Sequence, residues 1–352
     1  MKAQSSLAFI FLMLMCSQLH AQVGGEDSFE FLSLTQSAKV TALGGQLISV
    51  SDSDVSLGYS NPATLNTDMH SQMSINHNFH FAGISHGFAN AGYHHSGLNT
   101  TFHLGFNYIS YGDFVRTDLF GNELGQFDAG EVAITIGAGK QLNERIRSGV
   151  NLKFANSTFD VYRASAIAGD IGFLYENPER EFSLGIVAKN IGTPITNFTA
   201  QGESLPFDFQ VGISKRLKYL PLRISITAYQ LHKWNIRLDD ANNTNTITFL
   251  GQEPVEQSSL SKELDNFFRH FVFSGEFLIG ENDNFRLRLG YNHLRKQELS
   301  VSEFRSLGGL SFGLGFKVRN FRFDYGVGYY HLAGATNHLS LSIDLSSFGK
   351  KI

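Results

Sequence analysis

Cysteine is all but missing from this chain. The single copy, Cys16, falls in an apolar stretch at the N-terminus, so the remainder has no thiol and excludes a disulfide framework or a thiolate metal site in any redox compartment. Charge is also scarce: Asp, Glu, Lys and Arg make up 17% of 352 residues, where soluble domains usually carry about a quarter. The balance is mildly acidic, at −4, and offers no electrostatic footprint for nucleic acid. Proline is rare, and beyond the first twenty residues no run of 18 consecutive apolar residues occurs, so no transmembrane helix is expected.

What is plentiful is phenylalanine and glycine, with 32 and 35 copies, in a chain that is 42% hydrophobic. So much apolar surface with so few charges must be hidden somewhere other than a compact core, and lipid is one such place. The length is compatible with two or three soluble domains or with one large barrel, and does not decide between them.

The N-terminus reads Met1-Lys2, then an apolar run from Leu7 to Met15, then Ala21 before Gln22. A positive start, an apolar centre and a small residue at the end predict a signal peptide, residues 1–21, cleaved after Ala21. The run is too short to span a bilayer, and Met15 before Cys16 makes a poor lipoprotein site. Losing Lys2 takes the charge from −4 to −5.

From about residue 71 to the end, apolar and polar residues alternate with period two in segments of about ten residues bounded by Gly, Asn, Asp or Pro. Phe102, Leu104, Phe106 and Tyr108 form one such row, and Leu339, Leu341, Ile343 and Leu345 another. A sandwich would set Lys, Glu and Thr on the opposite face, whereas here it carries Gly and small polar residues, which suit the concave lumen of a barrel in lipid. The fold class expected is all-β: a 14-stranded antiparallel transmembrane barrel over 71–352, with an N-terminal hatch over 22–70. The strands are placed near 72–81, 84–95, 98–111, 130–141, 146–157, 164–176, 181–191, 205–217, 221–234, 270–279, 284–295, 309–319, 321–331 and 337–347. Short links at Ser96-Gly97, Leu142-Asn143, Asn177-Pro178, Tyr219-Leu220, Glu281-Asn282 and Asn320 alternate with mostly longer ones, as periplasmic turns do with outer loops. The localisation expected is the outer membrane, with both ends of the mature chain on the periplasmic side.

Residues 22–70 lack this alternation. Ser37 to Gly45 and Asp52 to Ser60 read as short helices, with Asp52 or Asp54 as a cap and Pro62 as a stop. A segment this apolar is expected to insert into the lumen, with Leu43, Gly44, Gly45, Asn61 and Pro62 as its candidate hatch residues. In the longest loop, Leu260, Leu264, Phe267 and Phe268 at helical spacing predict an amphipathic helix beginning near Ser259.

No chemical motif outweighs a structural reading. Gly83-Ile84-Ser85-His86-Gly87 and Gly309-Leu310-Ser311-Phe312-Gly313 match a hydrolase nucleophile motif, but both lie within strand patterns instead of at a strand-to-helix turn. His77, His80, His86, His94, His95 and His103 crowd the first three strands, where histidine is also an ordinary filler of polar lumens. No enzyme activity, cofactor or metal is expected. Arg223, Arg286, Arg288 and Arg322, with Asp170, Asp208, Glu276 and Asp324, should face the lumen, where their mixed signs favour ion pairs over a selective path. The outer loops carry Phe114, Leu119, Phe120 and Phe127, and Phe249, Leu250, Phe267 and Phe268, which pack among themselves, contact lipid headgroups, or form a surface for a partner.

The run Ala42-Leu43-Gly44-Gly45, then Asn61-Pro62-Ala63, then fourteen alternating segments, resembles the FadL-like outer-membrane barrels, whose N-terminal segment forms a hatch. Within that group Gly24-Gly25-Glu26-Asp27-Ser28-Phe29-Glu30-Phe31-Leu32, Asp54-Val55-Ser56-Leu57 and Arg116-Thr117-Asp118-Leu119-Phe120-Gly121-Asn122 resemble the PorQ family of the type IX secretion system of Bacteroidetes. The likeness covers the mature chain and is most specific in its first hundred residues. It implies a non-enzymatic barrel anchoring a PorZ-like surface protein of the attachment complex, which transfers cargo to lipopolysaccharide. The alternative is a FadL-like transporter of a hydrophobic small molecule, against which the absence of an evident apolar ligand pocket counts.

Overall fold

The computed structural model describes residues 27–198, 202–237, 259–299, 307–331 and 334–346. The expected leader lies outside the described residues, as do Phe249 and Leu250. Fourteen strands follow one another round a closed antiparallel ladder: β1 (Gln72–Phe79), β2 (Ser85–His95), β3 (Thr100–Thr117), β4 (Glu123–Gln141), β5 (Ile146–Phe159), β6 (Tyr162–Asn177) and β7 (Phe182–Thr196). The second half is β8 (Asp208–Arg216), β9 (Leu222–Ala228), β10 (Phe271–Ile279), β11 (Phe285–Asn292), β12 (Leu310–Val318), β13 (Phe321–His331) and β14 (Gly334–Asp344). β1 pairs with β14 from Gln72 opposite Asp344 to Phe79 opposite Asn337, which closes the ring. Closure leaves no free edge, the condition under which a sheet can exist in hydrocarbon.

The period-two pattern sets the two faces. On β1, Ser74, Asn76 and Asn78 are buried inward, while Met73, Ile75 and Phe79 are about half exposed on the outside. Every strand repeats this with at least one exposed large apolar residue, from Tyr93 on β2 to Leu339 on β14. An outer surface this apolar is the lipid-facing belt of an outer-membrane barrel. The membrane is crossed by strands; no described helix is long and apolar enough to do so.

The first and last strands begin and end at the same rim, which also holds the short links 96–99, 142–145, 178–181, 217–221, 280–284 and 319–320. This is the periplasmic rim. At the opposite rim the expected loop 112–129 is largely strand: β3 and β4 climb as a paired hairpin to Thr117 opposite Glu123, turning through 118–122. β5 and β6 likewise extend until two residues, 160–161, join them. β-Branched and aromatic residues such as Val115 and Phe114 sustain pairing beyond the lipid belt, so this rim is tall along β3–β7 and low along β8–β14. β9 stops at Ala228, short of the expected 234, and β11 ends at Asn292, whose side chain accepts from Arg295 N and caps the helix His293–Glu298. The helix expected near Ser259 runs Ser259–Arg269. β2, whose own sequence specifies register weakly, is held in line by regular ladders on both sides.

Candidate functional site

Residues 29–70 fold against the inner wall. The helix Ala38–Ala42 opens with the Ser37 side chain accepting from Val40 N and closes at Gly44 and Gly45, with φ of 89° and 92°. Gly45 N then donates to the Val40 carbonyl at 2.9 Å, a left-handed stop that glycine makes without strain. Leu43 is buried beside Val40, Leu47, Val50 and Leu57. A second turn, Leu57–Ser60, ends at Asn61, whose Oδ1 accepts from Ala63 N at 3.0 Å and whose Nδ2 donates to the Ile48 carbonyl at 2.8 Å. Asp54 makes the local cap, accepting from the Ser56 amide and hydroxyl, whereas Asp52 does something else.

Several glycines of the wall stand where this segment touches it. A Cβ built on Gly326 would lie 2.2 Å from the Ala38 carbonyl oxygen, one on Gly290 2.2 Å from Gly44 N, and one on Gly149 2.4 Å from the Pro62 carbonyl carbon. On β6, β7 and β2, Gly172, Gly185 and Gly92 would meet Asn61, Ile48 and Met69 in the same way. All lie well inside van der Waals contact with backbone or a buried side chain, so no larger residue fits without moving the segment. Polar bonds fasten it around the ring: Ala38 N to Ser340 Oγ at 2.8 Å, Ser311 Oγ to the Ala42 carbonyl at 3.0 Å, Asn151 Nδ2 to the Gly58 carbonyl at 3.0 Å, and Ser49 to Ser214 at 2.7 Å.

Asp52 is the centre of the charged contacts. Its Oδ2 lies 2.5 Å from the fully buried Lys39 ammonium, 3.3 Å from Arg286 and 3.6 Å from Arg223. Arg223 also pairs with Glu276, which bonds Arg288 at 2.8 Å, and Arg288 reaches Asp324 at 2.5 Å. One ladder of alternating sign thus runs from the inserted segment across β9, β10, β11 and β13. Burial raises the pKa of Asp52, but Lys39, Arg286, Arg322 and Arg223 more than reverse this and hold the carboxyl well below its usual range. A second buried pair, Lys153 with Asp170 at 2.9 Å, sits under the Tyr59 ring, whose centroid is 4.4 Å from the ammonium.

The lumen residues expected from sequence are therefore largely brought together, with two corrections. Asp208 makes no ion pair with a described lysine or arginine; its carboxylate accepts from the Gln230 amide and the Gln210 side chain, both at 2.6 Å, because it sits at the start of β8 above the charged row. Arg322 donates to Ser53 Oγ at 2.8 Å and has no described carboxylate within salt-bridge distance. Lys39 and Asp52 were missed as partners. The available signal was Lys39 itself, the one charge between residues 37 and 51.

Ser85 opens β2 and Ser311 lies within β12 with its hydroxyl spent on Ala42, so neither sits on a nucleophile turn. His86 bonds Asn107 at 2.8 Å and His103 bonds Asn151 at 2.9 Å, and among the described residues no three metal-ligating side chains converge.

At the tall rim, Phe114 and Phe127 face each other across the β3–β4 ladder with ring centroids 5.3 Å apart, which corrects their placement on a loop. Leu119 and Phe120 occupy the hairpin tip, 101% and 91% exposed. Phe267 and Phe268 lie on the helix Ser259–Arg269. Two cavities open near the rims. One of about 390 Å³ at the periplasmic mouth is lined by Ser53, His70, Lys317 and Arg322, and one of about 400 Å³ beyond the start of β8 is lined by Ile191, Pro194, Leu205 and Phe207.

No protein-family model matches this chain, and neither does any curated protein sequence. Among solved structures it is similar to the Pseudomonas putida toluene transporter TodX, at 10% identity and a TM-score of 0.48 over 88% of this chain and 96% of that one. A TodX monoaromatic hydrocarbon channel deltaS2 mutant is 13% identical with a TM-score of 0.46, over 87% and 96%. A Pseudomonas aeruginosa FadL homologue is 10% identical with a TM-score of 0.46, over 88% and 98%. The barrel assignment of this chain rests on its own closed strand ladder.

Proposed function

We propose that this chain is a non-enzymatic, non-conducting outer-membrane barrel whose work is to hold a protein partner at the cell surface, as a component of the type IX secretion system. The observation that supports this most is the seat of residues 29–70, in which wall glycines, hydroxyls and a charge ladder all meet the inserted segment. A lumen filled by contacts this specific leaves the rims as the surfaces able to act. From Phe29 onward, the residues that resemble the PorQ family fall in the inserted segment and on the β3–β4 hairpin, the two parts with such contacts or such exposure. The partner proposed is a PorZ-like protein of the complex that attaches cargo to lipopolysaccharide.

The test is affinity purification from native outer membranes together with conductance in planar bilayers. A stoichiometric surface protein and no steady conductance are expected; large steady conductance with nothing copurifying would overturn the reading. A second reading, transport of a hydrophobic small molecule, starts from the cavity where β7 continues beyond the start of β8, lined by Ile191, Pro194, Leu205 and Phe207 but also by Thr193, Glu203 and Ser204. It predicts an apolar compound extracted with the purified barrel.

A further inference from the structure

The helix Ser259–Arg269 wears its apolar stripe on the outside. Leu260, Leu264, Phe267 and Phe268 fall on one face by helical spacing, and all four are exposed, at 69%, 51%, 41% and 44%. Over its C-terminal half the polar face is the one turned to the protein, while Lys262 nearer the start stays exposed. Asn266 is buried, donating to the Trp234 carbonyl at 2.7 Å and accepting from Ile236 N at 3.1 Å, and Asp265 bonds Arg269 at 2.8 Å and His293 at 3.1 Å. A helix packed on a soluble core has the opposite arrangement, and one hanging in water would pay for every exposed apolar group.

The stripe continues the lipid-facing belt. Phe267 packs on Phe271 with centroids 4.9 Å apart, and Phe271 stacks towards Phe273, both on the outward-facing row of β10 that ends in Phe277 and Ile279. Phe268 meets His293, which bonds Tyr291 on the outward row of β11. An unbroken aromatic line thus climbs the outside of the wall onto the helix. The low rim along β8–β14 is where the helix sits, so it lies close to the top of the belt.

We propose that this helix lies at the headgroup–acyl boundary of the outer leaflet, with the side chains of Leu260, Leu264, Phe267 and Phe268 directed into the lipid, the apolar face buried about 5–10 Å into that boundary. Phe267 and Phe268 then belong to the membrane contact and not to the partner surface.

The mature chain has no cysteine, so Leu264→Cys and Lys262→Cys each give one labelling site, on opposite faces of the helix. Each full-length mature barrel is labelled with a polarity-sensitive fluorophore and reconstituted in phosphatidylcholine vesicles, with heat-modifiable migration as the check that the barrel is closed. The label at 264 should emit to the blue of that at 262 and be quenched several-fold more by acyl-chain nitroxide lipids than by an aqueous quencher; the label at 262 should show the reverse order. Water-like emission at 264 overturns the proposal. So does a blue shift at 264 that appears only after outer-membrane proteins are added, since that marks a protein-covered face. Should Leu264→Cys fail to close, Leu260→Cys on the same stripe gives the same readout.

Discussion

A Cβ on Gly172 of β6 would lie 2.0 Å from Oδ1 of Asn61, so the wall and the inserted segment meet here only because this position has no side chain. Gly172→Val adds bulk without backbone strain, since its φ is not positive. The expected cost is about 2 kcal/mol, as for overpacking elsewhere. Limited proteolysis should cut within 46–56 in the variant and not in the parent, and bilayer conductance should rise. Gly202→Ala, which enters open space, is the matched control and should change neither.

Asp52 neutralises a lysine with no exposed surface. Replacing it with Asn leaves Lys39 buried beside Arg286 and Arg223 without a counter-charge, which costs about 3–5 kcal/mol when a buried pair is broken on one side. Asp52→Asn should lower the urea midpoint of the vesicle-bound barrel accordingly. The double change Lys39→Met, Asp52→Leu should recover the part of the loss due to Lys39, while Arg286 stays without the same carboxylate. Equal loss in both variants would show that the packing of this stretch matters and its charge does not.

The same carboxylate sets a pH dependence. Its folded pKa is depressed, so the stability it contributes is present above the unfolded value of about 3.9 and is lost as pH falls through the folded one. The urea midpoint of the vesicle-bound barrel should therefore hold from neutrality down to about pH 4 and decline below it. Asp52→Asn should shrink that acid transition. A decline beginning near pH 6 would assign the effect to histidine instead.

Much of the architecture is legible in the sequence. Period-two alternation marks fourteen strands because in a lipid-facing barrel each residue has one of two solvents, and short turns at one rim count them in pairs. Strand length at the other rim was not legible: Phe114, Val115 and Phe127 suit a loop surface and a paired hairpin equally, and only cross-strand stacking distinguishes them. The charge ladder was half legible. Arg223, Glu276, Arg288 and Asp324 declare themselves by facing inward on neighbouring strands, whereas Lys39 and Asp52 meet through a fold with no period.

The hairpin tip offers the plainest test of partner binding. Leu119→Ser with Phe120→Ser removes the two most exposed apolar side chains of the tall rim and leaves the Asp118 turn intact, since that turn is made by Asp118 with Asn122 and the amide of residue 120. Recovery of a copurifying surface protein should fall at least about tenfold, the loss of two well-packed anchors, with no change in barrel stability. Undiminished recovery would move the docking surface away from this tip.

The bond from Ala38 N to Ser340 Oγ joins residues 302 positions apart. Ala38 lies early in the chain, and Ser340 on the last strand, the one that also completes the seam with β1. A single late strand thus both shuts the cylinder and grips what is inside it. Earlier strands can already hold the rest of the segment, but this grip and the closure of the ring wait together on the final strand.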